Sequence, residues 1–325
     1  MRVTILATGG TIASLEGPDG RWVPSATADE LVDGIPGLGD LAQLTVEPMD
    51  QVSGWNITPE RMVEVAVRAR DLLESGNCDG VVVTHGTDTT EETLYMVELL
   101  AAAATRRGPI VFACAMRAGS EPSPDGPRNL LNAVRIAADP GSRCRGVLLS
   151  VNDQIHHSSW VTKLNTTNIE TFVSVVGGPV GYIAADGPKY LIGSPKSPSG
   201  HGITGPVPLV KAFTGMDADI IDWHLGRGLA GLVIEGSGAG NLPGSVVPGV
   251  ARALDAGVPV VVTSRCPFGL PISPYGGPGG GAALDAMGVL RAAHLNGPKA
   301  RIALMVALNS ADNLDDIRVW FSHVG

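Results

Sequence analysis

Two threonines, one aspartate and one lysine stand out as residues able to do chemistry together. Thr11 follows the turn Thr8-Gly9-Gly10, while Thr87 and Asp88 end the run Gly80-Val81-Val82-Val83-Thr84-His85-Gly86-Thr87-Asp88-Thr89, and Lys163 closes Val161-Thr162-Lys163. A hydroxyl is a poor nucleophile at neutral pH unless a neighbouring group takes its proton. A lysine made less basic by burial can do so, and an aspartate beside it would position the amine while pulling its pKa the other way. Main-chain N–H groups in the glycine turns could stabilise a developing oxyanion. On spacing alone two plainer roles stay open. Thr11 could cap a turn instead of facing a ligand. Asp88 could cap the next helix through the box Asp88-Thr89-Thr90-Glu91.

Other reactive residues fit less well. His85 comes directly off a buried strand and reads as a hydrogen-bonded core histidine. His156 and His157 are adjacent, so they cannot share a helix face as two metal ligands at i and i+4 would. Cys78, Cys114, Cys144 and Cys266 form no CxxC pair, and buried reduced thiols are expected. No metal and no cofactor is expected.

Composition narrows the partners. The 325 residues are 44% hydrophobic, enough for a large core, and the formal charge of -9 leaves no basic surface for nucleic acid. Aromatic residues are 4% against 43 glycines and 24 prolines, which suits tight turns between strands and helices rather than base-stacking platforms. No apolar run reaches the ~20 residues of a membrane span, and the first residues lack a separate apolar segment with a cleavage site. A soluble cytoplasmic protein with no membrane partner is therefore expected.

The elements that must position the four residues follow an α/β rhythm. Arg2 to Ala7, the β-branched run that begins at Gly80, Pro109 to Ala115 and Arg145 to Val151 read as strands, and Leu44 to Asn56 as a strand followed by a loop. Thr58-Pro59 opens a helix whose apolar face is Met62, Val65, Ala66, Ala69, Leu72 and Leu73. Further helices are expected over Ala28–Gly34, Asp88–Ala104 and Arg128–Ala138. Leu15 to Thr27, rich in Gly and Pro, reads as a mobile surface loop. Strands alternating with helices imply a mainly parallel sheet, with ligands bound at the carboxyl ends of its strands. Residues 1–185 form the expected N-terminal domain, 186–208 a linker rich in Gly, Pro, Ser and Lys, and 209–325 a C-terminal α/β domain. In the latter, strands are expected over 229–235 and 258–264, with helices over 246–256, 283–293 and 299–308.

At this point the chain resembles a family. Thr8-Gly9-Gly10-Thr11-Ile12-Ala13-Ser14 and Thr84-His85-Gly86-Thr87-Asp88-Thr89 are similar to the two signature segments of the bacterial-type L-asparaginases, the asparaginase/glutaminase family. Cys114-Ala115-Met116-Arg117, Val161-Thr162-Lys163, Gly238-Ala239-Gly240-Asn241-Leu242, Thr263-Ser264-Arg265 and Lys299-Ala300-Arg301 follow in the family's order.

The resemblance implies a larger N-terminal domain, with a mainly parallel sheet flanked by helices, and a smaller C-terminal α/β domain. It implies a homotetramer built from intimate dimers and hydrolysis of a small-molecule amide, the side chain of L-asparagine, through an acyl-enzyme. Thr11 would be the nucleophile. Thr87, Lys163 and Asp88 would form a second hydroxyl–amine–carboxylate set, with Asp88 also holding the substrate's amino group. Ser53, Gly54, Trp55 and Gly86 would line the substrate, and Asn241 would reach the site of the neighbouring subunit.

The chain also departs from the pattern. The family's loop tyrosine falls near Arg21 or Trp22, and no Tyr occurs before Tyr95. The family's glutamate falls near Gly281, with no acid until Asp285. Ser53-Gly54-Trp55 replaces a serine followed by a polar residue, so a bulkier or less polar substrate is an alternative expectation. A same-fold amidohydrolase acting on another amide or lactam, or a binding homologue without turnover, remains open beside asparagine hydrolysis.

Overall fold

The structure is a computed structural model, and it describes residues 1–16, 22–24, 32, 34–49, 53–272 and 274–324. Two compact units divide between Pro195 and Lys196.

In the first unit the strands are β1 (Arg2–Ala7), β2 (Ser14–Glu16), β3 (Trp22–Pro24), β4 (Gln43–Pro48), β5 (Gly80–Thr84), β6 (Ile110–Ala113), β7 (Val147–Val151), β8 (Gln154–His157), β9 (Val161–Lys163), β10 (Phe172–Ser174), β11 (Gly181–Ala184) and β12 (Gly187–Tyr190). Its helices are α1 (Leu38–Leu41), α2 (Pro59–Glu74), α3 (Thr90–Ala101) and α4 (Gly126–Ala138). One sheet runs in the order β12-β11-β8-β7-β6-β5-β1-β4. From β4 to β7 all pairs are parallel, and β8, β11 and β12 extend the sheet antiparallel. The parallel part was readable because strands covered on both faces become continuous apolar runs. In β5 every residue is buried. Taking Val81, Val82 and Val83 out of water stabilises the fold by roughly 1.5–3 kcal/mol each.

The helix α2 forms where its signals put it. Thr58 accepts the Arg61 N–H at 3.4 Å and Pro59 occupies the first turn, while all six expected apolar residues are buried.

Several expectations are corrected. The stretch Leu15–Thr27 is not simply a loop, because Ser14–Glu16 pairs antiparallel with Trp22–Pro24. The helix expected over Ala28–Gly34 lies mostly outside the described residues. Within 186–208, Gly187–Tyr190 forms β12, an edge strand of the large sheet, and a Cβ added to Gly200 would lie 2.2 Å from the Val306 side chain, both residues lying in the second unit.

The second unit holds a parallel sheet of β13 (Leu209–Lys211), β14 (Leu232–Gly236), β15 (Val260–Ser264) and β16 (Leu290–Arg291), in that order. Its helices are α5 (Asp219–Leu225), α6 (Val247–Asp255), α7 (Gly281–Ala286), α8 (Gly297–Ser310) and α9 (Leu314–Ser322). The helix expected over 283–293 stops at Ala286, since Leu290 and Arg291 pair with Val261 and Val262 as a strand. Among the described residues no helix is long and apolar enough to cross a membrane.

Candidate active site

The strand β5 ends at Thr84, and the chain turns sharply through His85-Gly86 into α3. His85 braces that turn. Its N–H donates to the Ala113 carbonyl, its ring Nδ1 lies 2.8 Å from the Gly86 carbonyl, and Nε2 lies 2.9 Å from the Thr93 Oγ1. A carbonyl only accepts, so Nδ1 carries the proton and Nε2 accepts from Thr93. Burial keeps this imidazole neutral by pushing its pKa down to about 4. The sequence reading of His85 as a core histidine agrees. Thr90 donates to the same Gly86 carbonyl at 2.6 Å.

Three glycines bring three loops into contact. Gly10 has a φ of +88°, and a Cβ there would lie 2.4 Å from the Gly86 nitrogen. A Cβ on Gly86 would lie 2.8 Å from the Gly54 Cα. These neighbours are main-chain atoms and cannot rotate away, so only glycine permits the approach. Thr11, Trp55 and Thr87 each follow one of these glycines, and the loops that carry them therefore meet. β1 and β5 are adjacent parallel strands, with Ala7 opposite Thr84, so the Thr11 and Thr87 loops leave the same edge of the sheet.

Lys163 arrives from a separate ribbon, β9 paired antiparallel with β10. Its Nζ donates to Thr87 Oγ1 at 2.9 Å and to Asp88 Oδ1 at 2.7 Å. The Lys163 side chain is 15% exposed and that of Asp88 51%. One ammonium thus links a buried hydroxyl to a carboxylate open to solvent. Asp88 does not cap α3. Its carboxylate faces Lys163, and the cap position falls to Thr89, whose hydroxyl donates instead to the Gly54 carbonyl at 2.6 Å.

Thr11 opens a single 3-10 turn, half-buried. The next residue, Ile12, packs against the first turn of α4, where a Cβ on Gly126 would lie 3.1 Å from the Ile12 Cγ1. Ser53 precedes a 3-10 turn over Gly54–Asn56, and the Trp55 side chain is 70% exposed. Asn241 lies in the second unit, closing a turn in which Ser237 donates to its carbonyl at 2.8 Å and its own Oδ1 accepts from Gly281 N–H at 3.2 Å.

Family models described as "Asparaginase, N-terminal" and "Glutaminase/Asparaginase C-terminal domain" match residues 2–194 and 206–321. The chain belongs to the asparaginase family. It is 33% identical to L-asparaginase 2 of Bacillus subtilis, covering 98% of this chain and 86% of that protein. With a probable L-asparaginase of Deinococcus radiodurans the identity is 36% over 99% and 97% of the two chains. The crystal structure of a probable cytoplasmic L-asparaginase from Campylobacter jejuni superposes with a TM-score of 0.87 at 30% identity, covering 99% of both chains.

Within this asparaginase two of the three departures from the family pattern can be followed locally. Around Gly281, Arg291 Nη2 donates to the Gly281 carbonyl at 2.8 Å and Nε to Asp285 at 2.7 Å. Asp285 is thereby committed to an arginine. Of the positions near the missing tyrosine, Arg21 lies outside the described residues and Trp22 begins β3. Cys78 and Cys114 are buried as expected, but Cys144 and Cys266 are exposed, and all four are free. His156 turns its Nδ1 to Ser174 Oγ at 2.9 Å. Among the described residues no group of three or more His, Cys, Asp or Glu could hold a metal ion.

Sequence reasoning left the supporting groups unassigned. Thr89, Thr90 and Thr93 stitch the asparaginase turn to Gly54, Gly86 and His85, and Glu91 accepts the Lys163 main-chain N–H at 3.3 Å. The signal was present, since three hydroxyls and an acid fall within five residues of Asp88. Helix-start statistics explain the same pattern, so it passed as capping.

Proposed function

We propose that this asparaginase-family chain hydrolyses the side-chain amide of L-asparagine to L-aspartate and ammonia, with Thr11 as nucleophile. The observation that carries the reading is the bridge from Lys163 Nζ to Thr87 and Asp88, on a loop whose Gly86 touches the Gly10 beside Thr11.

The chemistry follows from those groups. Thr11 Oγ attacks the amide carbon while its proton passes by way of the Thr87 hydroxyl to a neutral Lys163. That proton then goes to the departing nitrogen, which leaves as ammonia, and the Thr11 ester of aspartate remains. Water adds to the ester with Thr87 and Lys163 again taking the proton, and aspartate leaves as Thr11 Oγ recovers its hydrogen. Asp88, open to solvent, holds the substrate's ammonium. Ser53, Gly54 and Gly86 line the remainder of the substrate. Ammonia release from asparagine tests the reading, together with intact-mass detection of an aspartyl ester that is absent from Thr11→Ala. Failure of both sinks it.

A specific observation supports a second substrate class. Trp55 presents an open indole directly after Gly54, where a small polar amino acid gains little from an aromatic surface. Amides with an apolar group on the α-carbon are the candidates, and hydrolysis of these but not of asparagine would select this class.

We also propose a cytoplasmic homotetramer of intimate dimers in which Asn241 completes the site of a neighbouring subunit. Support comes from the family resemblance and from the probable cytoplasmic L-asparaginase of known structure, although a Haemophilus influenzae relative is a probable periplasmic L-asparaginase. Mixing inactive Thr11→Ala and Asn241→Ala proteins should restore part of the activity if sites are shared, and mixing without effect argues against it.

A further inference from the structure

Lys163 is the one member of the bridge that the large sheet does not register. Its strand β9 has three residues and pairs with β10 alone, in a two-stranded ribbon. The lysine stem is four flexible carbons, so Nζ meets Thr87 Oγ1 reproducibly only if the Lys163 main chain is held at a fixed height beside α3. Thr87 and Asp88, by contrast, hang directly from β5 and the first turn of α3.

We propose that Glu91 is the positioning residue for Lys163. Glu91 sits in the first turn of α3, is 9% exposed, and its Oε2 accepts the Lys163 main-chain N–H at 3.3 Å. A buried carboxylate is costly unless it is hydrogen-bonded or paired. Its place in the first turn of α3 favours negative charge there. One carboxylate therefore ties the β9 main chain to the first turn of α3, while the side chain of the same lysine reaches back to Thr87 and Asp88 just before that helix. The loop becomes a closed ring of contacts: Thr87, α3, Glu91, Lys163 N–H, Lys163 Nζ and Thr87 again. Without the Glu91 contact, the ring is open at its main-chain side. This inference rests on the proposed role of Lys163 as proton carrier, but the geometry it asserts is separate from turnover.

The test uses the full chain with three substitutions. Glu91→Gln keeps an acceptor oxygen, Glu91→Asp withdraws it by one methylene, and Glu91→Ala removes it. Misplacing a catalytic group by about 1 Å costs on the order of 10²-fold in rate. Expected is a kcat loss of that order for Glu91→Ala and Glu91→Asp with KM within about twofold, and rescue by Glu91→Gln to near the parent rate.

The second readout does not need activity. The chain has five lysines, Lys163, Lys189, Lys196, Lys211 and Lys299, so a 13Cε-lysine NMR spectrum is simple to assign through Lys163→Arg. The Lys163 resonance should be distinct from the exposed lysines in the parent and in Glu91→Gln, and should join them in Glu91→Ala and Glu91→Asp. An unmoved resonance in Glu91→Ala overturns the proposal, as does equal kcat loss in all three variants. If the parent cleaves no amide, the functional reading fails while the resonance still decides this one. Should Glu91→Ala not fold, Glu91→Asp carries the same test.

Discussion

The main chains of Gly10 and Gly86 touch: a Cβ on Gly10 would lie 2.4 Å from the Gly86 nitrogen and 2.5 Å from its Cα. This contact, between glycines 76 residues apart in sequence, brings the loops that follow two strand ends together. It does so without any side chain, and leaves the hydroxyls of Thr11 and Thr87 available for chemistry.

Gly10→Ala and Gly86→Ala are therefore expected to destabilise the fold by about 1–3 kcal/mol each, as overpacking against fixed atoms does. Turnover should be lost with it. Urea unfolding reads the first effect, and Gly119→Ala, where nothing lies within 4 Å of the added carbon, is the matched control expected to stay near the parent.

Thr11→Ala and Thr87→Ala should each abolish ammonia release and leave the far-ultraviolet circular dichroism spectrum unchanged. Neither position packs the core. Full activity in either variant removes that threonine from the mechanism.

Lys163→Met should lower kcat by roughly 10²–10⁴-fold, the usual range for a lost general base. Lys163→Arg should rescue little, although it keeps the charge and could still reach Asp88, because a guanidinium does not release its proton at workable pH. Steady-state kinetics on both variants makes the comparison, and a fully active Lys163→Arg would show that charge alone suffices.

Stability should fall as acid is added, in a window set by His85. Its imidazole titrates at about 4 in the fold against 6.5 as the ordinary value, because burial disfavours the charged form. The unfolded chain thus binds a proton between pH 6.5 and 4 that the folded chain refuses. The stability associated with a neutral His85 is complete above pH 6.5 and drains away towards pH 4, by at most about 3 kcal/mol. Thermal midpoints measured across this window should slope less steeply in His85→Asn than in the parent. His294, also pushed down to about 4 by burial, leaves a residual slope in both.

Trp55→Ser should move preference toward asparagine. The kcat/KM ratio for asparagine over an amide bearing an apolar α-substituent is expected to rise by about 10-fold or more, since burying part of an aromatic surface is worth on the order of 1–2 kcal/mol. An unchanged ratio would mean that the indole does not touch substrate.

Much of this protein is legible residue by residue. β5 could be read as a buried strand because a parallel strand covered on both faces has no polar side to interrupt it. Thr58-Pro59 announced α2 because cap geometry is local, set by dihedral angles and a hydrogen bond three residues away. The antiparallel strands β8, β11 and β12 were less visible. Short edge strands such as Gly187–Tyr190, half-buried throughout, carry neither a continuous apolar run nor a clean alternation. The false helix over 283–293 has the same origin, since β16 spans only two residues and owes its state to pairing with Val261 and Val262.

The sequence by itself determined the chemistry available at each position: hydroxyls at Thr11 and Thr87, a carboxylate at Asp88, an amine at Lys163, each beside a strand end. It also placed a glycine directly before Thr11 and directly before Thr87. Only the tertiary structure decided that Asp88 faces Lys163 rather than capping α3, that Gly10, Gly54 and Gly86 lie in contact, and that Glu91 holds the Lys163 main chain. Those outcomes depend on chain segments tens of residues apart, whose meeting is set by sheet order and close packing, and no local pattern encodes a distance of that kind.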